Sequence, residues 1–304
     1  DETAKMNVGA AVREACTEVG FFYITNHFVD QNIISDTFIE AEGFFDASID
    51  VKMEVNIENS ETLRGYTALL AAEHDDSGKD FHEGFDLALD LDSSDEDVKS
   101  GVFGYGPNQW PSGRDSFKST LLNYHSSMVD FGKKIFESFA LALELPINHF
   151  EGAITKPMAH MRVLHYPPQD PKSGTEQMGI GAHSDYECFT ILCTSDVPAL
   201  QVLNTDGVWI EAPPIEGAFI VNVGDLMARW TNDYFQSTVH RAINLSGRRR
   251  YSIPFFYGPN SKEIIEVLPS CQSDAIKAKY DPIEAGEYIK SRFDNTYAHR
   301  QEDE

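Results

Sequence analysis

Apolar residues recur at helical spacing near the start of the chain. Val8, Ala11, Val12, Ala15, Cys16 and Val19 share one face of a helix that Gly20 ends. The run Phe21-Phe22-Tyr23-Ile24-Thr25 is short, aromatic and β-branched, and predicts a buried strand. Ile33, Ile34, Phe38, Ala41, Phe44 and Phe45 predict a second helix. Phe117, Leu121, Met128, Phe136, Phe139 and Leu143 give the core face of a long helix over 115–143, which Pro146 closes. From Arg162 onward the texture changes. β-prone runs at 162–166, 189–194, 200–203, 208–211, 218–223, 237–243 and 251–257 are divided by turn residues, the spacing of an antiparallel sandwich or barrel. Asn204-Thr205-Asp206-Gly207 between two of them is a hairpin signal. A last helix is expected over 281–293. The pattern predicts a mixed α/β chain with a mainly β core buttressed by helices. It forms one domain over 1–304: a mostly helical part at 1–150, the β core at 151–270, and a C-terminal helix and tail at 271–304.

Charge adds a segment that periodicity does not. The 304 residues carry 24 Lys and Arg against 49 Asp and Glu, a formal charge of −25. Eleven of the acids lie between Glu73 and Asp97, so 73–98 is expected to be an exposed, mobile acidic loop. A surface of this sign repels nucleic acid and anionic lipid, and no apolar run approaches a membrane span. Cys16, Cys188, Cys193 and Cys271 form no C-x-x-C pair and no disulfide framework; Cys188 and Cys193 read as small core residues. A reducing, cytoplasmic setting is expected. The chain opens on Asp1-Glu2-Thr3-Ala4-Lys5, without Met or a signal core, and is expected to have been trimmed.

His183-Ser184-Asp185 carries the first chemistry. Residues two apart on a strand point the same way, so an imidazole and a carboxylate can bind one metal ion together. The pattern alone is weak, since His74-Asp75-Asp76 supplies the same spacing by chance. His240 strengthens it, because it lies in the β-prone run Ser237-Thr238-Val239-His240-Arg241-Ala242. Two His and one carboxylate form a face that holds Fe(II) and leaves positions open. Arg250 and Ser252 share one face of a later strand, and alternation continues that face through Pro254 to Phe256. An arginine pointing into a barrel needs an anionic partner, which a dicarboxylate co-substrate supplies.

In this order and spacing, His183-Ser184-Asp185, His240 and Arg250-Tyr251-Ser252 resemble the motifs of the iron(II)- and 2-oxoglutarate-dependent dioxygenases of the isopenicillin N synthase-like branch. Gly20-Phe21-Phe22 with Asn26-His27, Gly106-Pro107-Asn108-Gln109-Trp110-Pro111, and Asn222-Val223-Gly224-Asp225 with Trp230-Thr231-Asn232 extend the likeness over nearly the whole chain. The resemblance implies a double-stranded β-helix, or jelly roll. It also implies His183, Asp185 and His240 as iron ligands, and Arg250, Ser252 and Tyr166 gripping 2-oxoglutarate. The chain departs from the family in two places: the usual opening strand with Pro and Asp is missing, and Leu164 stands where many plant members carry Asn. The stretches Met161–Tyr166 and Ala228–Asp233 look closer to fungal-type members such as thymine hydroxylases.

By strand parity Arg162 shares the face of Tyr166. It then binds a carbonyl or carboxylate of the substrate, or else snorkels outward or pairs with a buried acid of the protein. Phe256 stacks on a planar substrate or fills core. Tyr186 lines the entrance or is an ordinary surface tyrosine. The activity implied is oxidation of an unactivated C–H bond of a small molecule, by hydroxylation, desaturation or ring closure, with Fe(II), 2-oxoglutarate as co-substrate and O2, releasing succinate and CO2. A role in secondary metabolism, no nucleic-acid or membrane partner and a monomer are expected. The rival readings are a same-fold Fe(II) oxidase that does not use 2-oxoglutarate and a noncatalytic small-molecule-binding β-barrel.

Overall fold

The computed structural model describes residues 1–72, 78–170 and 177–301, the last helix without its side chains beyond residue 294. Seven α-helices are present among them: α1 (Glu2–Glu18), α2 (Gln31–Phe45), α3 (Ile49–Met53), α4 (Glu96–Lys99), α5 (Asp115–Ala142), α6 (Asp225–Trp230) and α7 (Ala285–Gln301). The strands are β1 (Phe21–Ile24), β2 (Gly65–Thr67), β3 (Glu83–Ala88), β4 (Pro157–Tyr166), β5 (Ile180–His183), β6 (Phe189–Thr194), β7 (Leu200–Leu203), β8 (Trp209–Glu211), β9 (Phe219–Val223), β10 (His240–Ala242), β11 (Arg250–Asn260), β12 (Ile264–Ile265) and β13 (Ile283–Glu284). A seven-stranded sheet in the order β1-β9-β6-β11-β4-β3-β2 and a four-stranded sheet in the order β5-β10-β7-β8 build a jelly-roll core, and β12 and β13 pair separately.

Alternation along β11 assigns the two faces of the large sheet. Ile253, Phe255 and Tyr257 are fully buried toward the helices. Arg250, Ser252, Pro254 and Phe256 line a cavity. The helical layer is centred on α5, whose Phe117, Leu121, Met128, Phe136 and Phe139 are buried as their spacing predicts. Phe136 meets the rings of Phe189 and Tyr257 edge-on, at 5.1 and 5.6 Å between centroids. Each such side chain contributes about 1.5–3 kcal/mol through burial. Helix α1 buries a narrower face than its apolar stripe suggests: Gly9, Val12 and Cys16 are buried, whereas Val8 and Val19 are exposed.

Gly132 sets how closely α5 approaches β11. A Cβ there would lie 2.2 Å from two ring carbons of Tyr257, and Tyr257 is fully buried. Gly132→Ala is therefore expected to destabilise the fold by about 1–3 kcal/mol despite the better helix propensity of alanine. A urea unfolding midpoint unchanged from wild type would contradict this contact.

The acidic segment differs from its expectation. Glu83–Ala88 is strand β3, buried at every position and paired with both β2 and β4. Its acids have partners. Asp80 accepts from the Gly181 amide at 2.9 Å. Glu83 accepts from Lys52, Tyr66 and His165 at 2.6–2.8 Å. These three donors outweigh the effect of burial and hold the Glu83 pKa down at about 2. A charge count reads such acids as solvated, while the alternation of Phe85 and Leu87 against Gly84 and Asp86 is the signature of a strand. Residues 73–77, including His74-Asp75-Asp76, lie outside the described residues.

Candidate active site

The two sheets enclose a cavity of about 1250 Å3. Into it point Tyr166, Arg250 and Ser252 from the large sheet, and His183 and His240 from the small one. His183 ends β5, His240 begins β10, and the two residues are direct cross-strand partners. Their rings lie 4.4 Å apart. His183 Nδ1 lies 2.8 Å from the Gly181 carbonyl and His240 Nδ1 lies 3.1 Å from that of Thr238. A carbonyl only accepts, so each Nδ1 carries the proton and each Nε2 keeps its lone pair for a metal.

Asp185 completes the face from the turn after β5. Its Oδ1 lies 3.6 Å from His183 Nε2 and 3.7 Å from His240 Nε2. Its Oδ2 accepts from Thr190 Oγ1 and, at 2.6 Å, from Asn222 Nδ2. One oxygen is thus held by the protein while the other converges with the two imidazoles. Burial opposes charge on this carboxylate, but the two histidines and the two donors together keep its pKa below the usual value. His183, Asp185 and His240 are the one set of three metal-ligating side chains found among the described residues. Two imidazoles and one anionic oxygen suit Fe(II).

Thr190 and Asn222 carry a role that the sequence reading missed. Both are polar residues in largely apolar strands, β6 and β9, and that interruption was the available signal. Because such supporting hydrogen bonds fix a ligand's orientation, Asn222→Ala is expected to weaken Fe(II) binding about 10–100-fold. Equilibrium dialysis against Fe(II) under nitrogen measures it, and an unchanged affinity would contradict the role.

The next constellation lies where β4 ends and β11 begins, with Arg250 opposite Tyr166 in the ladder. Arg250 is 2% exposed. Its guanidinium lies 4.6 Å from the centre of the Tyr166 ring, and Nη1 donates to Ser252 Oγ at 3.3 Å. Ser252 Oγ reaches Tyr166 Oη at 3.4 Å, and Arg250 Nε donates to the Val197 carbonyl at 3.3 Å. No carboxylate among the described residues pairs with Arg250.

Arg162 lines the same cavity, but its guanidinium is already engaged: Nε lies 3.0 and 3.2 Å from the two oxygens of buried Asp86 on β3. The sequence reading did not identify Asp86, because it falls in the segment taken for a loop. Phe256 lies inward beside His160, with ring centroids 6.0 Å apart. Tyr186 stands at the cavity wall, edge-on to Phe293 of α7 at 5.5 Å, with the Arg292 guanidinium 4.8 Å from its ring.

The chain matches known proteins over nearly its full length. Residues 157–259 match the model of the 2OG-Fe(II) oxygenase superfamily, and residues 1–113 match that of the non-haem dioxygenase in morphine synthesis N-terminal region. The 2-oxoglutarate-Fe(II) type oxidoreductase hxnY of Emericella nidulans is 34% identical over 304 residues, 98% of this chain and 87% of that one. A homoarginine-6-hydroxylase of Oryza sativa is 33% identical over 91% of this chain and 85% of its own length. A Neurospora crassa protein crystallised with α-KG and thymine has a TM-score of 0.85 at 28% identity, over 98% of this chain and 93% of that one. These likenesses favour a 2-oxoglutarate-using enzyme over a 2-oxoglutarate-independent oxidase and over a noncatalytic barrel. No helix among the described residues is long and apolar enough to cross a membrane. The chain belongs to the 2OG-Fe(II) oxygenase superfamily, whose enzymes use Fe(II), 2-oxoglutarate and O2.

Proposed function

We propose that His183, Asp185 and His240 hold Fe(II), that Arg250, Ser252 and Tyr166 bind the distal carboxylate of 2-oxoglutarate, and that the enzyme oxidises a C–H bond of a small molecule lodged toward Arg162 and Phe256. The observation that carries this reading is Arg250, a buried guanidinium with no acid partner among the described residues, in the same cavity as the two imidazoles and Asp185. An unpaired charge so buried costs several kcal/mol. A carboxylate that accepts from the remaining Nη–H groups of the guanidinium offsets that cost with charge-assisted hydrogen bonds, and the hydroxyls of Ser252 and Tyr166 lie beside it.

When bound, Fe(II) supplies the coordination positions and redox chemistry by which O2 converts 2-oxoglutarate to succinate and CO2 and the substrate C–H bond is oxidised. The protein's own contribution is geometric and electrostatic. Thr190 and Asn222 fix which carboxylate oxygen of Asp185 is presented. The carbonyls of Gly181 and Thr238 fix both imidazole tautomers. Leu164, Ile180 and Leu200 form an apolar part of the cavity lining. Phe256 and Tyr186 are placed to contact the substrate.

The test is incubation of the Fe(II)-loaded enzyme with 2-oxoglutarate and a metabolite panel, with mass spectrometry after oxygen is admitted. Succinate should form even without a second substrate, and one panel member should gain oxygen or lose hydrogen. Absence of succinate from a protein that binds Fe(II) would exclude the reading.

A further inference from the structure

A buried acid without a partner stands at the far end of the cavity from Arg250. Strand β6 runs beside β11, so Thr194 is level with Ser252, and Thr190, four residues or about 13 Å away, is level with Phe256. Glu187 comes three residues before Thr190 and continues past the level of Phe256. It lines the cavity and is 7% exposed. Among the described residues its carboxyl meets no cation and no side-chain donor; the hydrogen bonds it makes are with the backbone amides of Tyr186 and of Glu187 itself. The cationic side chains that line the cavity are engaged elsewhere. Arg64 donates to the carbonyls of Thr62 and Gly104 and lies 3.2 Å from His160 Nδ1. Arg162 is held by Asp86, Arg241 by Gln201 and the Trp209 ring, and Lys290 by Asp294, while Arg250 faces the place of 2-oxoglutarate. Burial, with the charges of Asp185 and Asp225 nearby, pushes the Glu187 pKa up to about 8. An unmatched buried carboxyl is costly in either protonation state. Bound Fe(II), Asp185, 2-oxoglutarate and Arg250 cancel in charge, so loading the site does not supply the missing partner.

We infer that Glu187 is a specificity-determining residue that binds a cationic nitrogen, an amine or guanidinium, of the prime substrate. The inference rests on the reading that the Phe256 end of the cavity receives the substrate. A cation there gives Glu187 the charge-assisted donor it lacks and offsets the like charges of Asp185 and Asp225. Glu187 stands two residues after Asp185, so a molecule held by it is held beside the metal face. The formal charge of −25 also favours the approach of cations over anions.

Benzamidine, a cation at neutral pH, and benzamide are planar, near-isosteric probes that differ in this charge. Each is titrated calorimetrically, under nitrogen, into enzyme saturated with Fe(II) and 2-oxoglutarate, so that Arg250 is already occupied. Wild type should bind benzamidine at least about tenfold more tightly than benzamide. Glu187→Gln keeps the shape and loses the charge, and should bring the two probes within about threefold of each other. Glu187→Ser should do the same, and it decides the matter should Glu187→Gln fail to fold. The weak visible absorption of Fe(II) with 2-oxoglutarate should persist in both variants, because Glu187 is no metal ligand. The inference is overturned if wild type binds the probes equally, prefers benzamide or binds neither while holding 2-oxoglutarate. It is overturned equally if a folded variant keeps the preference, or if the absorption is lost with Glu187, which would put the residue in the metal face. A protein that binds no 2-oxoglutarate fails at the earlier step, and overturns the oxygenase reading of the cavity itself.

Discussion

Asp185→Ala is expected to lose Fe(II) binding by more than the about 100-fold that removing a supporting hydrogen bond costs. The carboxylate is the one anionic member of the face, and its loss removes both a donor atom and the charge that offsets the cation. It also leaves Thr190 and Asn222 with hydrogen-bond donors aimed at a missing acceptor. Metal content after anaerobic dialysis measures the effect, with circular dichroism to show that the jelly roll persists. A folded variant that retains iron at the wild-type level would remove Asp185 from the ligand set.

Arg250→Lys is expected to raise the 2-oxoglutarate concentration needed for half-maximal succinate formation by about one to two powers of ten, or about 1.5–3 kcal/mol. Lysine keeps the charge and loses the planar fork, so one of two parallel hydrogen bonds to a carboxylate disappears. Its ammonium also loses the stacked position that the guanidinium takes over the Tyr166 ring, 4.6 Å from the centroid. Iron affinity should be unaffected, because His183, Asp185 and His240 come from other strands and the turn after β5. Unchanged 2-oxoglutarate dependence would mean that the distal carboxylate binds elsewhere.

The parts of the site that were legible in the sequence are those governed by strand parity. Arg250 and Ser252 share one face, and Arg162 lies on the cavity side with Tyr166, because alternation on a strand leaves a side chain only two directions, whereas Asp185 joins His183 from the turn after β5 and not from the strand on which parity was argued. Partners from distant elements were not legible. Asp86 is 76 residues before Arg162 along the chain, and nothing local distinguishes an acid that pairs across a ladder from one that faces water. The same blindness made β3 read as a loop: its charges were counted, whereas its burial depends on Lys52, His165 and Arg162 arriving from α3 and β4. Helix ends were set by tertiary contacts too. The last helix begins at Ala285 rather than 281, since β13 pairs with β12 just before it.

The central claim is that one cavity holds Fe(II) on His183, Asp185 and His240 and 2-oxoglutarate on Arg250 at the same time, close enough for the keto acid to chelate the metal. Anaerobic titration of 2-oxoglutarate into the Fe(II)-loaded protein, followed by visible absorption, tests it most directly. The expected result is a weak metal-to-ligand charge-transfer band that saturates at one equivalent per chain, is absent in Asp185→Ala, and needs more 2-oxoglutarate in Arg250→Lys. Binding of both iron and 2-oxoglutarate by calorimetry without any such band would place them in separate sites and contradict the account.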